Sequence, residues 1–76
     1  MLIKDSLDKL DVGMRVRTNS DGSFISSKWI EGEIVRFNIY EFVIASSKGE
    51  WHISYSSEGE VQILPKQKKR LIEVNW

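Results

Sequence analysis

Apolar and polar residues alternate with a period of two along most of the chain, which is the pattern of strands with one buried face. The alternation predicts five strands, at about residues 14–18, 29–37, 40–45, 51–55 and 61–64. The 40–45 segment is apolar at consecutive positions, which is typical of a strand buried on both faces. Turn-forming residues separate the strands, and we therefore expect an all-β domain.

One short helical turn is expected before the first strand. Asp5 or Ser6 can cap it. Leu7 and Leu10 lie three residues apart on one face, and Gly13 can end the segment. The segment is too short for an independent helix, so we expect it to cover one end of the core.

Length and composition favour a single small barrel. The chain has 76 residues, with 41% hydrophobic and 29% charged residues, which is typical of one soluble globular domain. Short strands in so small a domain are most economically arranged as an antiparallel barrel, because closure removes exposed sheet edges. We predict one domain over residues 1–76, with the barrel at about 12–64.

The composition changes at Pro65. Residues 1–64 carry seven basic and ten acidic side chains, whereas residues 65–76 carry four basic side chains and one acidic one. We interpret residues 65–70 as a basic linker or tail. Residues 71–76 have strand propensity, and they either dock on the domain's own edge as a sixth strand or on a second subunit. The protein is accordingly expected to be a monomer or a strand-exchanged dimer.

Several classes of chemistry have no support in the sequence. The absence of Cys excludes disulfides and thiolate metal sites, and neither metal-ligand spacing nor a phosphate-binding glycine motif occurs. Trp51 and Ile53 share one alternation phase, which predicts that they face the core and that His52 lies on the opposite face. His52, the single His, lacks a nucleophile and an orienting carboxylate at motif spacing, and Glu31 and Glu33 are expected on a solvated face. We expect no enzymatic activity, no metal and no cofactor.

Apolar segments are short throughout the chain. No run approaches the roughly 20 residues that a membrane span needs, and the N-terminus lacks the apolar region of a signal peptide. We therefore expect a cytoplasmic protein without a membrane partner.

The glycine positions carry a resemblance to a known family. Gly13 precedes the first predicted strand, and Gly32 lies in the middle of the second, where a small residue lets a strand bend. The order continues through Phe42-Val43-Ile44, Gly49 and Val61-Gln62-Ile63. Over about residues 12–64 it resembles SH3-like barrels of the KOW and Tudor type. The resemblance implies a five- to six-stranded antiparallel SH3-like barrel that acts as a binding module, as in ribosomal contacts, peptide readers and bacterial or phage accessory proteins.

The residues around the first hairpin predict a protein-binding surface. Trp29 shares the alternation phase of Glu31, so its ring is exposed unless a bend at Gly32 turns it inward. Phe24 and Ile25 fall in a predicted loop, where they either fold back as a lid or contact a partner. The predicted partner site, an apolar anchor with a polar rim, comprises Phe24, Ile25, Trp29, Arg15, Arg17 and Glu31.

The basic run supplies an alternative function. Four basic side chains can contact phosphates and make the protein a nucleic-acid- or ribosome-associated module, namely Lys66, Lys68, Lys69 and Arg70. The same run also fits a solubilising linker. The principal expectation is a non-enzymatic module that occludes or tethers another protein.

Overall fold

The structure, a computed structural model, describes residues 1–65. The chain forms α1 (Ile3–Ser6), β1 (Arg15–Asp21), β2 (Phe24–Phe37), β3 (Glu41–Ser46), β4 (Gly49–Ser54) and β5 (Val61–Ile63). The five strands make one antiparallel sheet in the order β4-β3-β2-β1-β5. The predicted all-β class, the antiparallel strands and the N-terminal helical turn are confirmed. The predicted linker at 66–70 and the predicted strand at 71–76 lie outside the described residues.

The helical turn begins earlier than the sequence pattern predicts. Leu2 occupies the N-cap position without a side-chain cap, so the prediction that Asp5 or Ser6 caps α1 is wrong. Ser6 lies inside the helix, and its hydroxyl donates to the Ile3 carbonyl at 2.8 Å. Ile3 and Leu10 are buried in the core cluster. The segment therefore covers one end of the core, as expected.

Inward-facing residues from every strand form the core. Each of these side chains contributes on the order of 1.5–3 kcal/mol through burial of its apolar surface. The buried cluster comprises Ile3, Leu10, Val16, Ile34, Phe42, Ile44, Ile53 and Val61. Trp51 and Tyr55 pack against it, as their shared phase with Ile53 predicts. Val43 is also fully buried, on the opposite face of β3, which confirms that this strand is covered on both sides.

The first hairpin is longer than predicted. The sequence pattern predicts a loop over residues 19–28, but residues 19–21 belong to β1 and residues 24–28 belong to β2, and the two strands meet at a turn formed by Gly22 and Ser23. Ser20 pairs with Ile25 and Asp21 pairs with Phe24. The next pair joins Thr18 to Ile30, so Asn19 alone lies opposite residues 26–29 of β2. This bulge in β2 interrupts the ladder between the two strands.

The end of the hairpin contacts the far strand of the sheet. The Gly22 amide donates to the His52 carbonyl at 3.0 Å, and the Ser54 amide donates to the Gly22 carbonyl at 3.0 Å. Gly22 has a positive φ of 66°, which glycine adopts without strain. The contact is an isolated parallel bridge between Gly22 and Ile53 rather than a ladder. Closure of the sheet into a barrel stays a prediction.

Gly32 lies where β2 and β3 approach closely. It is buried, and a Cβ at this position would overlap the carbonyl group of Ala45. A side chain is therefore excluded here by the backbone of the neighbouring strand, which is the physical reason for glycine in mid-strand.

Candidate functional site

A groove of about 460 Å³ lies between the first hairpin and the β3–β4 turn. On the hairpin side it is lined by β1 residues Ser20 and Asp21 and by β2 residues including Trp29 and Ile30. The other side consists of residues 46–48 and Trp51. The bulge at 26–29 places Trp29 in this groove. Two tryptophans therefore line one concave surface, which we call the Trp29–Trp51 groove.

The Trp29 ring is braced from β1. The guanidinium carbon of Arg17 lies 4.9 Å from the ring centroid, within the range of a cation–π contact. Arg17 and Glu31 are directly opposite each other in the β1–β2 ladder. Trp29 is 36% exposed, so part of the ring remains accessible beside the Arg17 contact. Of the two alternatives that the sequence leaves open for this ring, exposed or turned inward, the structure has the exposed one.

The predicted polar rim assembles beside this ring. Nη2 of Arg15 lies 3.2 Å from Oε2 of Glu31, across the same pair of strands. Both side chains are about half-exposed, so the pair adds little to stability. The structure thus places four of the predicted partner residues on adjoining positions of one strand pair, namely Arg15, Arg17, Trp29 and Glu31.

Phe24 and Ile25 are separate from the groove. They lie in β2 at the end of the hairpin, so their assignment to a loop is wrong. They are 75% and 59% exposed, so they do not fold back as a buried lid. Neither lines the Trp29–Trp51 groove. The sequence predicts one apolar anchor made of Phe24, Ile25 and Trp29. In the structure, Trp29 lies in the groove, and Phe24 and Ile25 form a separate surface of the same hairpin.

Trp51 was assigned from its phase to the core alone, and its place in the groove was missed. Its indole Nε1–H donates to the Ser46 hydroxyl oxygen at 3.2 Å. The same oxygen accepts the Lys48 amide at 3.2 Å, and the hydroxyl donates to the Gly49 carbonyl at 3.2 Å. These bonds tie the indole to the β3–β4 turn. The sequence pattern shows that Trp51 faces inward, but it does not show that the ring reaches the end of the core.

Three charged groove residues have no ion-pair partner within residues 1–65, namely Asp21, Lys28 and Lys48. Glu31, the remaining charged residue of the lining, is engaged by Arg15. The uncompensated charge around the groove is therefore two lysines against one aspartate.

A second charged cluster covers Val43 on the other face of the sheet. Arg36 of β2 and Glu50 of β4 form two hydrogen bonds, at 2.9 and 3.3 Å, across β3. The Arg36 hydrogen bonds and charge hold the pKa of Glu50 below its usual value, and Glu50 in turn raises the pKa of Arg36. This cluster explains how Val43 is fully buried on a polar face.

His52 belongs to the same face and is exposed, as predicted. Its Nδ1 lies 2.6 Å from Oε2 of Glu41. Hydrogen bonds from His52, and then from Asn38, hold the pKa of Glu41 below its usual value. Within the described residues, no Ser, Thr or Tyr hydroxyl is hydrogen-bonded to the His52 ring.

The β2–β3 turn presents a further apolar surface that the sequence pattern did not single out. Ile39 and Tyr40 are 79% and 77% exposed. The Asn38 side-chain oxygen accepts the amides of Tyr40 and Glu41 at 3.0 and 2.9 Å, and the Tyr55 hydroxyl donates to the Asn38 carbonyl. The turn is therefore held firmly, although its two apolar side chains point into solvent.

Two further types of feature are absent from the described part of the chain. No helix among residues 1–65 is both long and apolar enough to cross a membrane. The same residues contain no group of three or more His, Cys, Asp or Glu side chains that can hold a metal ion.

Comparison with known proteins identifies no relative of this chain. No family model, curated protein or solved structure matches the chain. The resemblance to SH3-like barrels of the KOW and Tudor type therefore stays a prediction.

Proposed function

We propose that the protein is a non-enzymatic binding module that holds a segment of another protein in the Trp29–Trp51 groove. The observation that carries the proposal is the position of Trp29, which lines the groove, is partly exposed and is braced by Arg17. Binding would occlude or tether the partner. The small size of the domain fits a cytoplasmic accessory protein of bacterial or phage origin.

Aromatic side chains in concave sites are frequent binding hot spots. A ring that is already fixed loses little conformational entropy when a partner covers it. Arg17 fixes Trp29, and the Ser46 hydroxyl fixes Trp51. Arg15 and Glu31 add a polar rim beside the groove, the usual arrangement around an apolar anchor.

The surroundings of His52 support a non-enzymatic role. Its partner is the partly exposed carboxylate of Glu41. A general base needs a nucleophile or substrate proton within hydrogen-bond reach, and the described residues supply no hydroxyl there. The His52–Glu41 pair is better explained as part of the polar cover over Val43.

The proposal is tested by selection from a display library of short random peptides. Selected peptides are then measured against the wild type, Trp29→Ala and Phe24→Ala. Phe24 is a matched control because it is an exposed aromatic residue of the same strand that lies outside the groove. We expect Trp29→Ala to weaken binding by about tenfold or more, as for a typical hot spot, and Phe24→Ala to leave it within about threefold.

Selected peptides that bind Trp29→Ala as tightly as wild type would contradict the proposal, provided that circular dichroism shows the variant folded. Failure to select any peptide would also count against it. The nucleic-acid alternative rests on Lys66, Lys68, Lys69 and Arg70, which lie outside the described residues. Salt-sensitive binding of labelled oligonucleotides that is lost when these four residues become Ala would favour that alternative.

A further inference from the structure

The outer edge of β4 is an incompletely paired strand edge. The His52 carbonyl and the Ser54 amide both point across this edge and bond to Gly22. Backbone N–H and C=O groups of alternate residues point to the same side of a strand. The amide and carbonyl of Glu50 therefore face the same edge. Within residues 1–65, neither group has a hydrogen bond that crosses this edge.

The open edge adjoins the groove. Trp51 follows Glu50 directly, and its side chain lines the groove. On the opposite side lie Ser20 and Asp21, the residues before the bridged Gly22. The groove thus extends between β1 and β4, from the Gly22 bridge toward the β3–β4 turn. A strand laid along Glu50 would direct alternate side chains toward this groove.

We infer that the groove binds an acidic peptide segment of a partner protein in extended conformation, as a strand added to the β4 edge at Glu50. This inference rests on the proposed function and specifies the ligand. The Glu50 amide donates to, and its carbonyl accepts from, the peptide backbone. One peptide side chain occupies the groove beside Trp29 and Trp51. Main-chain pairing supplies affinity in this mode, and the side-chain pocket supplies specificity.

The charges around the groove favour an acidic segment. Lys28 from the bulge of β2 and Lys48 from the β3–β4 turn are both without an ion-pair partner in the described residues. Asp21 lies next to the Gly22 bridge, at one end of the groove. An acidic peptide therefore meets lysines from both sides, and complementary charge raises its rate of association.

A pair of substitutions at position 50 isolates the backbone contribution. Glu50→Pro removes the outward amide hydrogen, whereas the bonds between β3 and β4 do not use that hydrogen. Glu50→Ala is the matched control, because it removes the same side chain and its ion pair with Arg36 but keeps the amide. The probe is the set of peptides selected from the random library. We expect Glu50→Pro to weaken binding by about tenfold or more, and Glu50→Ala to change it by less than about threefold.

The selected peptides are also expected to carry net negative charge. The double variant Lys28→Ala/Lys48→Ala should bind them more weakly than the wild type does. Peptides without an acidic excess would overturn the acidic assignment. Peptides that lose affinity for Trp29→Ala but bind Glu50→Pro as well as Glu50→Ala would overturn strand addition while leaving the proposed function in place. Concentration-dependent self-association that Glu50→Pro abolishes would identify a second copy of the chain as the occupant and overturn the inference.

Hydrogen exchange in the wild-type protein gives a test that does not depend on folding of the proline variant. The Glu50 amide should exchange at least about tenfold more slowly in the peptide complex than in the free protein. Unchanged exchange at Glu50 with a saturating selected peptide would overturn strand addition.

Discussion

The guanidinium of Arg17 lies 4.9 Å from the centre of the Trp29 ring. This contact joins β1 to the bulged part of β2 and orients the aromatic residue that lines the groove. A cation–π contact at an exposed site contributes about 0.5–1 kcal/mol. Its importance here is more for the position of Trp29 than for the stability of the fold.

Arg17→Ala is therefore expected to lower the free energy of unfolding by no more than about 1 kcal/mol. It should weaken binding of the selected peptides more than Arg15→Ala does, because Arg15 contacts Glu31 and not the ring. Urea unfolding measures the first effect, and peptide titration measures the second. Equal peptide affinities for the two arginine variants would contradict a positioning role for Arg17.

Acid is expected to destabilise the protein through Glu41 and Glu50. The pKa of each carboxyl is held below its value of 4.5 in an unperturbed group, mainly by His52 for Glu41 and by Arg36 for Glu50. Because the folded-state pKa lies below the unfolded one, the carboxylates favour the fold above the ordinary pKa. That contribution is lost as pH falls through the folded-state values.

Urea unfolding at a series of pH values down to about pH 3 measures this dependence. The double variant Glu41→Gln/Glu50→Gln should show a shallower loss of stability below the ordinary carboxyl pKa than wild type. Glu33→Gln serves as the control, since Glu33 has no ion-pair partner in the described residues. An identical pH dependence in the double variant would show that these pairs do not couple protonation to folding.

Gly32→Ala is expected to disrupt the junction between β2 and β3. The added methyl group would overlap the Ala45 carbonyl group, and backbone atoms cannot move aside as a flexible side chain can. Overpacking of this kind costs about 1–3 kcal/mol, a large part of the stability of so small a domain. Thermal unfolding should show a lower Tm, whereas Ser27→Ala at an exposed position of the same strand should not. A Tm for Gly32→Ala equal to that of the wild type would disprove the close approach between Gly32 and the Ala45 carbonyl group.

The Ile39–Tyr40 turn is expected to be dispensable for binding of the selected peptides. Ile39→Ser/Tyr40→Ser removes the most exposed apolar side chains but keeps the backbone bonds to Asn38 and Tyr55. Stability should stay within about 0.5 kcal/mol of wild type, as for surface substitutions in general. A loss of peptide affinity comparable to that of Trp29→Ala would move the binding surface to this turn.

Residue alternation predicts those features that depend on one strand at a time. It assigned Ile53 to the core, His52 to the exposed face, and burial on both faces to the third strand, and all three predictions are confirmed. In each case a side chain's direction follows from its position in a strand, and burial follows from its polarity.

The parts that were missed depend on contacts between distant segments. Residues 26–28 are polar without alternation, so their pattern indicates a loop. The structure instead extends β2 through them, with its register defined by pairs such as Ser20–Ile25 and with the hairpin end bonded to β4. The groove requires that fold to bring Trp29 and Trp51 to the same concave surface, and nothing in their sequence separation predicts it.

Binding of a partner segment beside Trp29 can be observed directly by ¹⁵N NMR titration with a selected peptide. We expect the indole Nε1–H resonances of Trp29 and Trp51 and the backbone amide resonance of Glu50 to shift together, with the same dissociation constant. Resonances of Phe24 and Ile39, outside the groove, should stay in place. Shifts confined to Ile39 and Tyr40, or binding that leaves the Trp29 indole resonance unchanged, would contradict binding in the Trp29–Trp51 groove.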